Sequence, residues 1–361
     1  GSTMLDKILD EPLSSWLKED NTTDKAEASH IVLSSRIRLA RNFKGLQFTN
    51  RNHEPSLEKV DTMMRGILGT LKDADGRGYS NISLDKLSDT EREILVEKHL
   101  VSPQLAQKAP HRSLVVADDS SVAIMVNEED HIRIQAMEPG LRLNEALAHA
   151  FKVDDAIESK YDYAFNEQYG YLTACPTNVG TGLRASVMLH LPALAMTGRI
   201  NRVVRNISQL GYSVRGLYGE GSEALGNIYQ VSNQVTMGIS EEDTVAQLQK
   251  VIDGLVSEEM KARDAIRQSD NDDFEDRVWR AYGTLMYARR LSGEEALSLL
   301  SDVQLGIDMK VLPQGRSDFF NELVVITRPN FLSKYAGKED MLPAERDTYR
   351  AKVIRDRMQG K

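Results

Sequence analysis

Short segments in which apolar and polar residues alternate are the feature that most constrains the fold of this chain. In residues 31–39 the odd positions are apolar apart from Ser35, so Ser34, Arg36 and Arg38 share the opposite face of a predicted strand. Similar segments follow at 131–136 and 184–191, the apolar runs 114–117 and 122–126 flank a turn signal at 118–121, and 212–217 and 227–232 are further predicted strands. Consecutive strands joined by turns predict an α+β fold in which an antiparallel sheet is flanked by helices.

The remaining pattern predicts how the chain divides. A chain of 361 residues is long enough for two domains. From Glu241 onward the apolar spacing is almost wholly helical. We therefore expect an N-terminal helix and linker over 1–30, a mixed domain over 31–262 and an all-helical domain over 263–361.

Charge and cysteine content exclude several classes of protein. Acidic residues number 54 against 45 basic ones, and this net charge of −9 disfavours a direct nucleic-acid binder. A single cysteine, Cys175, rules out an internal disulfide and a cysteine-based zinc site. The most apolar run, 185–196, is too short and too interrupted to cross a membrane, and no signal-peptide pattern opens the chain. We expect a cytoplasmic protein.

Phosphate binding, if present, would depend on arginines. The chain has no G-x-x-x-x-G-K-[ST] loop, no H-R-D or D-F-G motif and no G-x-G-x-x-G after a strand. The arginines on predicted strands are Arg36, Arg38, Arg133, Arg184 and Arg215. Each could simply be solvated or paired with a carboxylate. Arg184 is the only Asp, Glu, Lys or Arg between Glu167 and Arg199, so it needs an anion from elsewhere, either a distant carboxylate or a phosphate.

Two acidic loops and the cysteine are further candidates for chemistry. The turn at 128–130 holds three consecutive acids, which are either a solvated hairpin tip or the source of a general base. The acidic loop at 219–223 is open to the same two interpretations, a solvated loop or a source of a catalytic carboxylate. Cys175 is either an inert buried thiol or a reactive one beside cationic groups. His99 and His111 have no second histidine at ligand spacing, so we predict no metal site built from protein side chains.

Three runs resemble the catalytic domain of the phosphagen kinases, the ATP:guanidino phosphotransferases. These runs are SSRIRLARN at 34–42, NEEDHIR at 127–133 and CPTNVGTGLRASV at 175–187. The resemblance spans about residues 31–262 in the expected order. It implies the glutamine-synthetase-like fold of that family, and phosphoryl transfer from ATP to a guanidinium, with Mg²⁺ bound mainly through the nucleotide.

The resemblance also implies roles for individual residues. Glu129 would be the catalytic base, Glu223 a second carboxylate on the guanidinium, and Cys175 a group lying against it. Tyr218 stands where the family has another phosphate-binding arginine, and Arg215 is our choice to replace that residue. The residues expected to bind ATP are Ser34, Ser35, Arg36, Ile37, Arg38, His99, Arg133, Arg184, Ala185, Ser186, Val187, Met188, Arg215, Gly216, Leu217, Tyr218, Gly219 and Glu220.

Two departures make the chain similar to the bacterial protein-arginine kinases within this family. Only about thirty residues precede the first strand, whereas small-substrate members carry a helical domain there. The C-terminal helical part ends in an R-D-x-x-R-A motif. That motif implies an allosteric phosphoarginine pocket formed by Arg346, Asp347, Arg350 and Ala351.

The resemblance to that branch further implies partners. Substrates would be arginine-bearing proteins, including the heat-shock repressor CtsR, with ClpC-dependent degradation as an outcome. McsA would be an activator, and a homodimer or higher oligomer is expected in this stress response. Two other functions stay open: a kinase of free arginine or a related guanidine, and a non-catalytic adaptor that reads phosphoarginine on a degenerate scaffold.

Overall fold

The computed structural model describes residues 3–18, 27–175, 180–218, 224–234, 238–269, 271–313 and 319–361. Its strands are β1 Val32–Arg41, β2 Tyr79–Ser83, β3 Ser113–Ala117, β4 Val122–Val126, β5 Ile132–Pro139, β6 Phe165–Asn166, β7 Gly170–Tyr171, β8 Leu183–His190, β9 Tyr212–Gly216 and β10 Ile228–Asn233. Its helices are α1 Met4–Asp10, α2 Glu54–Arg65, α3 Leu68–Asp75, α4 Asp89–Glu97, α5 Leu143–Glu158, α6 Pro192–Met196, α7 Ile200–Gln209, α8 Glu241–Gln268, α9 Asn271–Tyr287, α10 Gly293–Asp308, α11 Phe319–Ile326, α12 Pro329–Tyr335 and α13 Pro343–Met358.

Eight strands form one sheet in the order β2-β3-β4-β5-β1-β8-β10-β9, and β6 and β7 form a separate two-stranded hairpin. The pairs β2–β3, β3–β4, β4–β5 and β1–β5 are antiparallel. Every helix from α8 onward lies C-terminal to the last strand. The predicted antiparallel sheet flanked by helices, followed by a helical C-terminal region, is therefore confirmed.

The chain forms two compact units that are discontinuous in sequence. The first contains 1–16, 34–186 and 232–249, and the second contains 17–33, 187–231 and 250–361. In the first unit α5 packs against β5 and α3, while α2 packs against β3 and β4. In the second unit α10 packs against α6, α9 and α11, and α13 packs against α9 and α12. The division at residues 30 and 262 stays a prediction.

Local sequence explains most element boundaries. Ile37 and Leu39 on β1 are fully buried, as the alternation predicts, because they face the core. The sequence pattern over 54–72 predicts one helix, but α2 ends at Arg65, and the amide of its C-cap Gly66 donates to the Thr62 and Met63 carbonyls. A separate helix, α3, begins at Leu68. β2 is not predicted, because its residues YSNIS lack a clear alternation. None of the described helices has the length and apolar character needed to cross a membrane.

Candidate active site

The register of β1 and β5 brings the predicted arginines onto one face of the sheet. Arg38 lies opposite Gln135, and Ala40 lies opposite Arg133. Directly opposed residues of an antiparallel pair project to the same side, as do residues two apart along a strand. Arg36, Arg38 and Arg133 therefore share a face, and Arg36 Nη1 donates to Gln135 Oε1 at 2.9 Å.

Arg38 is the electrostatic centre of this group. Burial and the positive charges of Arg133, Arg184 and Arg36 together lower the pKa of Arg38 to about 9, while Glu128 opposes them. Its Nε is buried without a hydrogen-bond partner among the described residues. A half-buried guanidinium surrounded by like charges is a site prepared for an anion.

Arg133 is held by all three acids of the 128–130 turn. Its Nη1 donates to both Glu128 oxygens at 2.9 and 3.1 Å, its Nη2 to Glu129 at 2.7 Å and its Nε to Asp130 at 3.3 Å. The Glu128 and Asp130 side chains are 2% and 0% exposed, whereas that of Glu129 is 35% exposed. The turn is thus not a solvated tip, and Glu129 is its accessible carboxylate.

The same turn is tied to the segment that leads to Cys175. Asp130 Oδ1 accepts from the Ala174 amide and from Asn42 Nδ2, both at 2.9 Å. The Asn42 amide group also donates to the Leu172 carbonyl at 3.1 Å. Cys175 is half-buried and follows immediately. One buried carboxylate thus fixes the approach of Cys175 to the Glu129 turn.

Arg41, the last residue of β1, binds the chain again after Cys175, at Thr181. Its Nε and Nη2 donate to the two Asp154 oxygens at 3.1 and 3.0 Å, and its Nη1 donates to the Thr181 carbonyl at 2.7 Å. The guanidinium lies 3.7 Å from the centre of the Tyr171 ring. Gly182 has φ +67°, and a Cβ there would lie 2.6 Å from the Ala40 carbonyl oxygen, so only glycine fits this approach.

The other predicted ATP residues of the first unit lie close to the sheet. Ser34, Ser35 and Ser186 are buried, and Ser35 Oγ donates to the Gly140 carbonyl at 2.7 Å. His99 has a left-handed backbone and packs its ring edge-on against Trp16. The loop after His99 reaches the arginine group, because the Leu100 carbonyl accepts from Gln135 at 3.2 Å. The apolar side chains of Ile37 and Ala185 are also buried, as are those of Val187 and Met188, which belong to the second unit.

Residues of the predicted nucleotide loop belong to the second unit. Arg215 is exposed at the end of β9, Gly216 is buried, and Leu217 and Tyr218 are half-buried. The Tyr218 ring lies under the guanidinium of Arg328, 5.1 Å from it. Gly219, Glu220 and Glu223 lie outside the described residues.

A second group of arginines surrounds the R-D-x-x-R-A motif of α13. Arg350 is buried, and it donates to the Thr327 and Leu291 carbonyls at 3.0 and 2.9 Å and to Asp347 at 2.8 Å. Burial lowers the pKa of Arg350, and the charges of Arg328 and Arg346 add to that effect while Asp347 opposes it. Arg346 Nη1 donates to the Met341 carbonyl, and Ala351 is fully buried.

Sequence reasoning missed several residues that organise the site. Gln135 bridges Arg36 and the loop after His99, Asn42 and Asp130 hold the approach to Cys175, and Glu128 anchors Arg133. The alternation that places Arg133 and Gln135 on one face was the available signal for Gln135. No comparable signal marks Asn42, because its partners are far away in the chain. Within the described ranges, no three His, Cys, Asp or Glu side chains are grouped to hold a metal ion.

Two sequence-family models match the chain. One, described as the ATP:guanido phosphotransferase C-terminal catalytic domain, covers residues 59–262. The other, the protein-arginine kinase McsB C-terminal domain, covers residues 271–361. Together they cover most of the chain, including Arg133 on β5 and the arginines of α13, whereas β1 with Arg36 and Arg38 precedes the first match.

Individual proteins agree with these matches. The chain is 47% identical over 357 residues to a protein-arginine kinase of Bacillus subtilis (strain 168), covering 98% of this chain and 96% of that protein. It is also 47% identical to one of Geobacillus sp. (strain WCH70), with 98% and 96% covered. Among solved structures, a lombricine kinase matches at 24% identity with a TM-score of 0.55, covering 73% of this chain and 75% of that one. A duplicated taurocyamine kinase from Schistosoma mansoni, with bound transition state analog components, matches at 20% identity with a TM-score of 0.58, covering 92% and 50%. These two structures show the fold.

Proposed function

Because the chain belongs to the ATP:guanido phosphotransferase family, and within it to the protein-arginine kinases, we propose that it transfers the γ-phosphoryl group of ATP to arginine side chains of proteins. The observation that carries this proposal is the environment of the Arg38 side chain. This side chain lies among three other guanidinium groups and has no hydrogen bond or ion pair within the described part of the chain. An arrangement of this kind is costly unless a polyanion occupies it.

The nucleotide half of the site consists of guanidinium donors. Arg36, Arg38 and Arg184 would hold the phosphate oxygens, with Arg215 completing the set in place of the family arginine. Arg133 would contribute charge while its hydrogen bonds orient Glu129. The buried, unpartnered Nε of Arg38 fits a phosphate oxygen. Mg²⁺ would bind through the phosphates themselves and neutralise charge as the bond to ADP breaks. We place the reaction in the cytoplasm, where ATP is available.

The acceptor half must deprotonate a guanidinium. Its lone pairs are delocalised and its charge persists at any physiological pH, so attack requires a base on the attacking nitrogen. Glu129 takes that proton as the N–P bond forms and as the bond from the γ-phosphorus to the ADP oxygen breaks. Its exposed carboxylate and its 2.7 Å contact with Arg133 support this role. Glu223 would grip the other side of the guanidinium, and Cys175 would lie against it.

The group around α13 is our candidate for a regulatory phosphoarginine site. Arg346, Asp347, Arg350 and Ala351 would form it, with positive charge for the phosphoryl group and Asp347 for the guanidinium. The buried, charge-crowded position of Arg350 supports an anion there. Binding of product at this site would favour an active or assembled state, as expected of a homodimer or higher oligomer.

Partners complete the proposal. Protein substrates bearing arginine follow from the activity itself. CtsR as a substrate, ClpC-dependent degradation as the outcome, and McsA as an activator remain proposals drawn from family resemblance. They assign the protein to the heat-shock response.

Detection of acid-labile phosphate on an arginine-rich protein tests the activity. The purified chain with ATP and Mg²⁺ should label that protein, and an excess of free arginine should compete poorly. Glu129→Gln should reduce turnover by about 10²–10³-fold while nucleotide still binds, because the base is lost but the arginines remain. Cys175→Ser in parallel measures how much the thiol contributes.

The control is Glu167→Gln, which replaces an exposed acid on the β6–β7 hairpin. This variant should label the substrate protein at the wild-type rate. Efficient labelling of free arginine without labelling of protein would instead assign the chain to the small-molecule kinases. Phosphoarginine binding without transfer to any acceptor would indicate the adaptor.

A further inference from the structure

The first unit contains an open cleft beside the segment that leads to Cys175, and no part of the mechanism above uses it. The cleft has a volume of about 720 Å³. Five aromatic side chains line it, namely Phe43, Phe48, Tyr163, Phe165 and Tyr171, and two carboxylates, Glu158 and Asp162, stand at its edge. We call it the aromatic cleft.

The aromatic cleft is continuous with the framework of the catalytic turn. The Phe43 amide donates to His131 Nδ1 at 2.9 Å, and the Phe43 ring stacks on the His131 ring. His131 is two residues from Glu129. Leu172, which also lines the cleft, is three residues from Cys175. Three residues span at most about 11 Å, so the cleft wall begins within that distance of Cys175.

The chemistry of the cleft suits a cation. Phe165 is 56% exposed, an unusual position for a large apolar ring, and it meets Tyr171 edge-on at 5.0 Å. The inner face of Tyr171 already binds a guanidinium, that of Arg41, at 3.7 Å. Burial raises the pKa of Tyr171, and the negative charge of Glu158 adds to the effect. Lys44 is the one lysine or arginine on the lining, against two carboxylates.

We propose that the aromatic cleft is a subsite for a positively charged side chain, lysine or arginine, that lies two or three residues from the target arginine in the substrate polypeptide. The proposal rests on the proposed kinase function and adds a sequence preference to it. Side chains two residues apart on an extended peptide are about 7 Å apart, which is within the limit of about 11 Å between Cys175 and Leu172 in the cleft wall. Aromatic faces and exposed carboxylates together bind such a cation.

Two peptides, each with a single arginine, provide the test. One peptide carries lysine, and the other glutamine, at the second and third positions on both sides of the arginine. For the wild-type chain we expect kcat/KM for the lysine peptide to be about tenfold higher, and its binding, measured by fluorescence anisotropy, to be about tenfold tighter. Glu158→Gln with Asp162→Asn should reduce both ratios to about one, and leave the glutamine peptide unaffected. Phe165→Ala should reduce the ratios partially.

A charge-matched control distinguishes an effect of the cleft carboxylates from an effect of the protein's overall negative charge. Asp155→Asn with Glu167→Gln removes the same charge from exposed positions of the first unit that do not line the cleft, and should keep both ratios. An equal loss in the two double variants, or no lysine preference in the wild-type chain, would overturn the proposal. Lysine-dependent binding without phosphoryl transfer to either peptide would support the cleft and count against the kinase function.

Discussion

A half-buried guanidinium that lies among like charges and has a buried nitrogen without a hydrogen-bond partner is unfavourable for folding unless an anion binds it, and Arg38 has this environment. Its neighbours Arg133 and Arg184 are charged alike, and burial and this repulsion lower its pKa to about 9. Arg133 differs, because three carboxylates surround it and raise its pKa against the effect of burial. Two arginines on one face thus have opposite environments: carboxylates surround Arg133, whereas like charges surround Arg38, which we propose as a phosphate-binding residue.

This difference predicts a trade-off between stability and binding. Arg38→Met should stabilise the nucleotide-free protein by about 1–2 kcal/mol, because it removes a half-buried charge among like charges. The same change should weaken nucleotide binding by about tenfold or more. Urea unfolding without nucleotide and calorimetric titration with ATP measure the two effects. Arg280→Met, at an exposed ion pair with Asp276, is the control and should change neither. A destabilised Arg38→Met variant would mean that the arginine is structural.

The sequence predicts which residues lie in this site better than it predicts the partners that bind their side chains. Alternation on β1 and β5 was enough to predict that Arg36, Arg38 and Arg133 project from strands. It left open whether each is solvated, paired or ligand-binding, because that depends on Glu128 and Gln135 approaching from other parts of the fold. The role of Glu129 as a base came only from family resemblance and stays a proposal.

At the scale of elements, the strands were predictable and several connections between them were not. β1, β5 and β8 carry alternating patterns, and β3 and β4 are apolar runs that flank a turn signal. The pattern over 163–174 also predicts a hairpin, and the local pairs Phe165–Tyr171 and Asn166–Gly170 of β6 and β7 form it. The described residues between β7 and β8, 172–175 and 180–182, make hydrogen bonds with side chains of other elements. Asn42 and Asp130 fix the start of this segment, and Arg41 fixes its end at Thr181. Such a segment has no periodic sequence signal.

Arg41→Lys tests whether this anchoring positions Cys175. A lysine ammonium cannot donate to both Asp154 oxygens and to the Thr181 carbonyl in the same geometry. We expect kcat to fall by about ten- to a hundredfold with little change in nucleotide affinity. The alkylation rate of Cys175 should rise, and since it is the only cysteine, this readout is unambiguous. Unchanged alkylation in Arg41→Lys would show that the segment holds its position without the arginine.

Helix α1 depends on one buried lysine. Lys98 Nζ donates to the Ile8 and Glu11 carbonyls at 2.8 and 2.7 Å, and these carbonyls are at and just beyond the C-terminal end of the helix. Burial lowers the pKa of Lys98 to about 8 from 10.5, and Glu11 only partly opposes this. The folded state therefore releases the proton before the unfolded state does. Stability contributed by this group rises as pH increases from about 8 to about 10.5.

Lys98→Met should abolish that rise. We expect the difference in unfolding free energy between wild type and Lys98→Met to grow in favour of wild type over this pH interval, by up to about 3 kcal/mol. Urea unfolding at pH 7, 8, 9 and 10 measures it. Lys86→Met, at an exposed position, should follow the wild-type pH dependence. Parallel curves for Lys98→Met and wild type would mean that Lys98 keeps an ordinary pKa in the fold.

At the scale of the whole molecule, each unit contains its own buried ionic network. In the second unit the fully buried Arg263 donates to Glu259 at 2.8 Å and lies 3.4 Å from Glu27. Glu259 also accepts from the Ala193 and Leu194 amides at the start of α6. Asp308 pairs with His30 at 2.7 Å. Residues from four distant parts of the sequence thus meet in this unit, which explains why it is discontinuous and why sequence periodicity did not reveal its composition.

Replacing Glu259 alone should lower the free energy of unfolding more than replacing both Glu259 and Arg263. Glu259→Leu leaves the Arg263 charge buried and underpaired, so we expect a loss of about 3–5 kcal/mol. Glu259→Leu with Arg263→Leu removes both charges and should cost less than the single change, because no underpaired guanidinium stays buried, although the α6 amides lose their acceptor and Glu27 and Asp308 each lose one partner. Hydrogen exchange followed by mass spectrometry should locate the faster exchange in 187–231 and 250–361, the segments of the second unit. If the two substitutions instead destabilise additively, the pair is a net source of stability, and the network holds the unit together by attraction rather than by the penalty of leaving a charge alone.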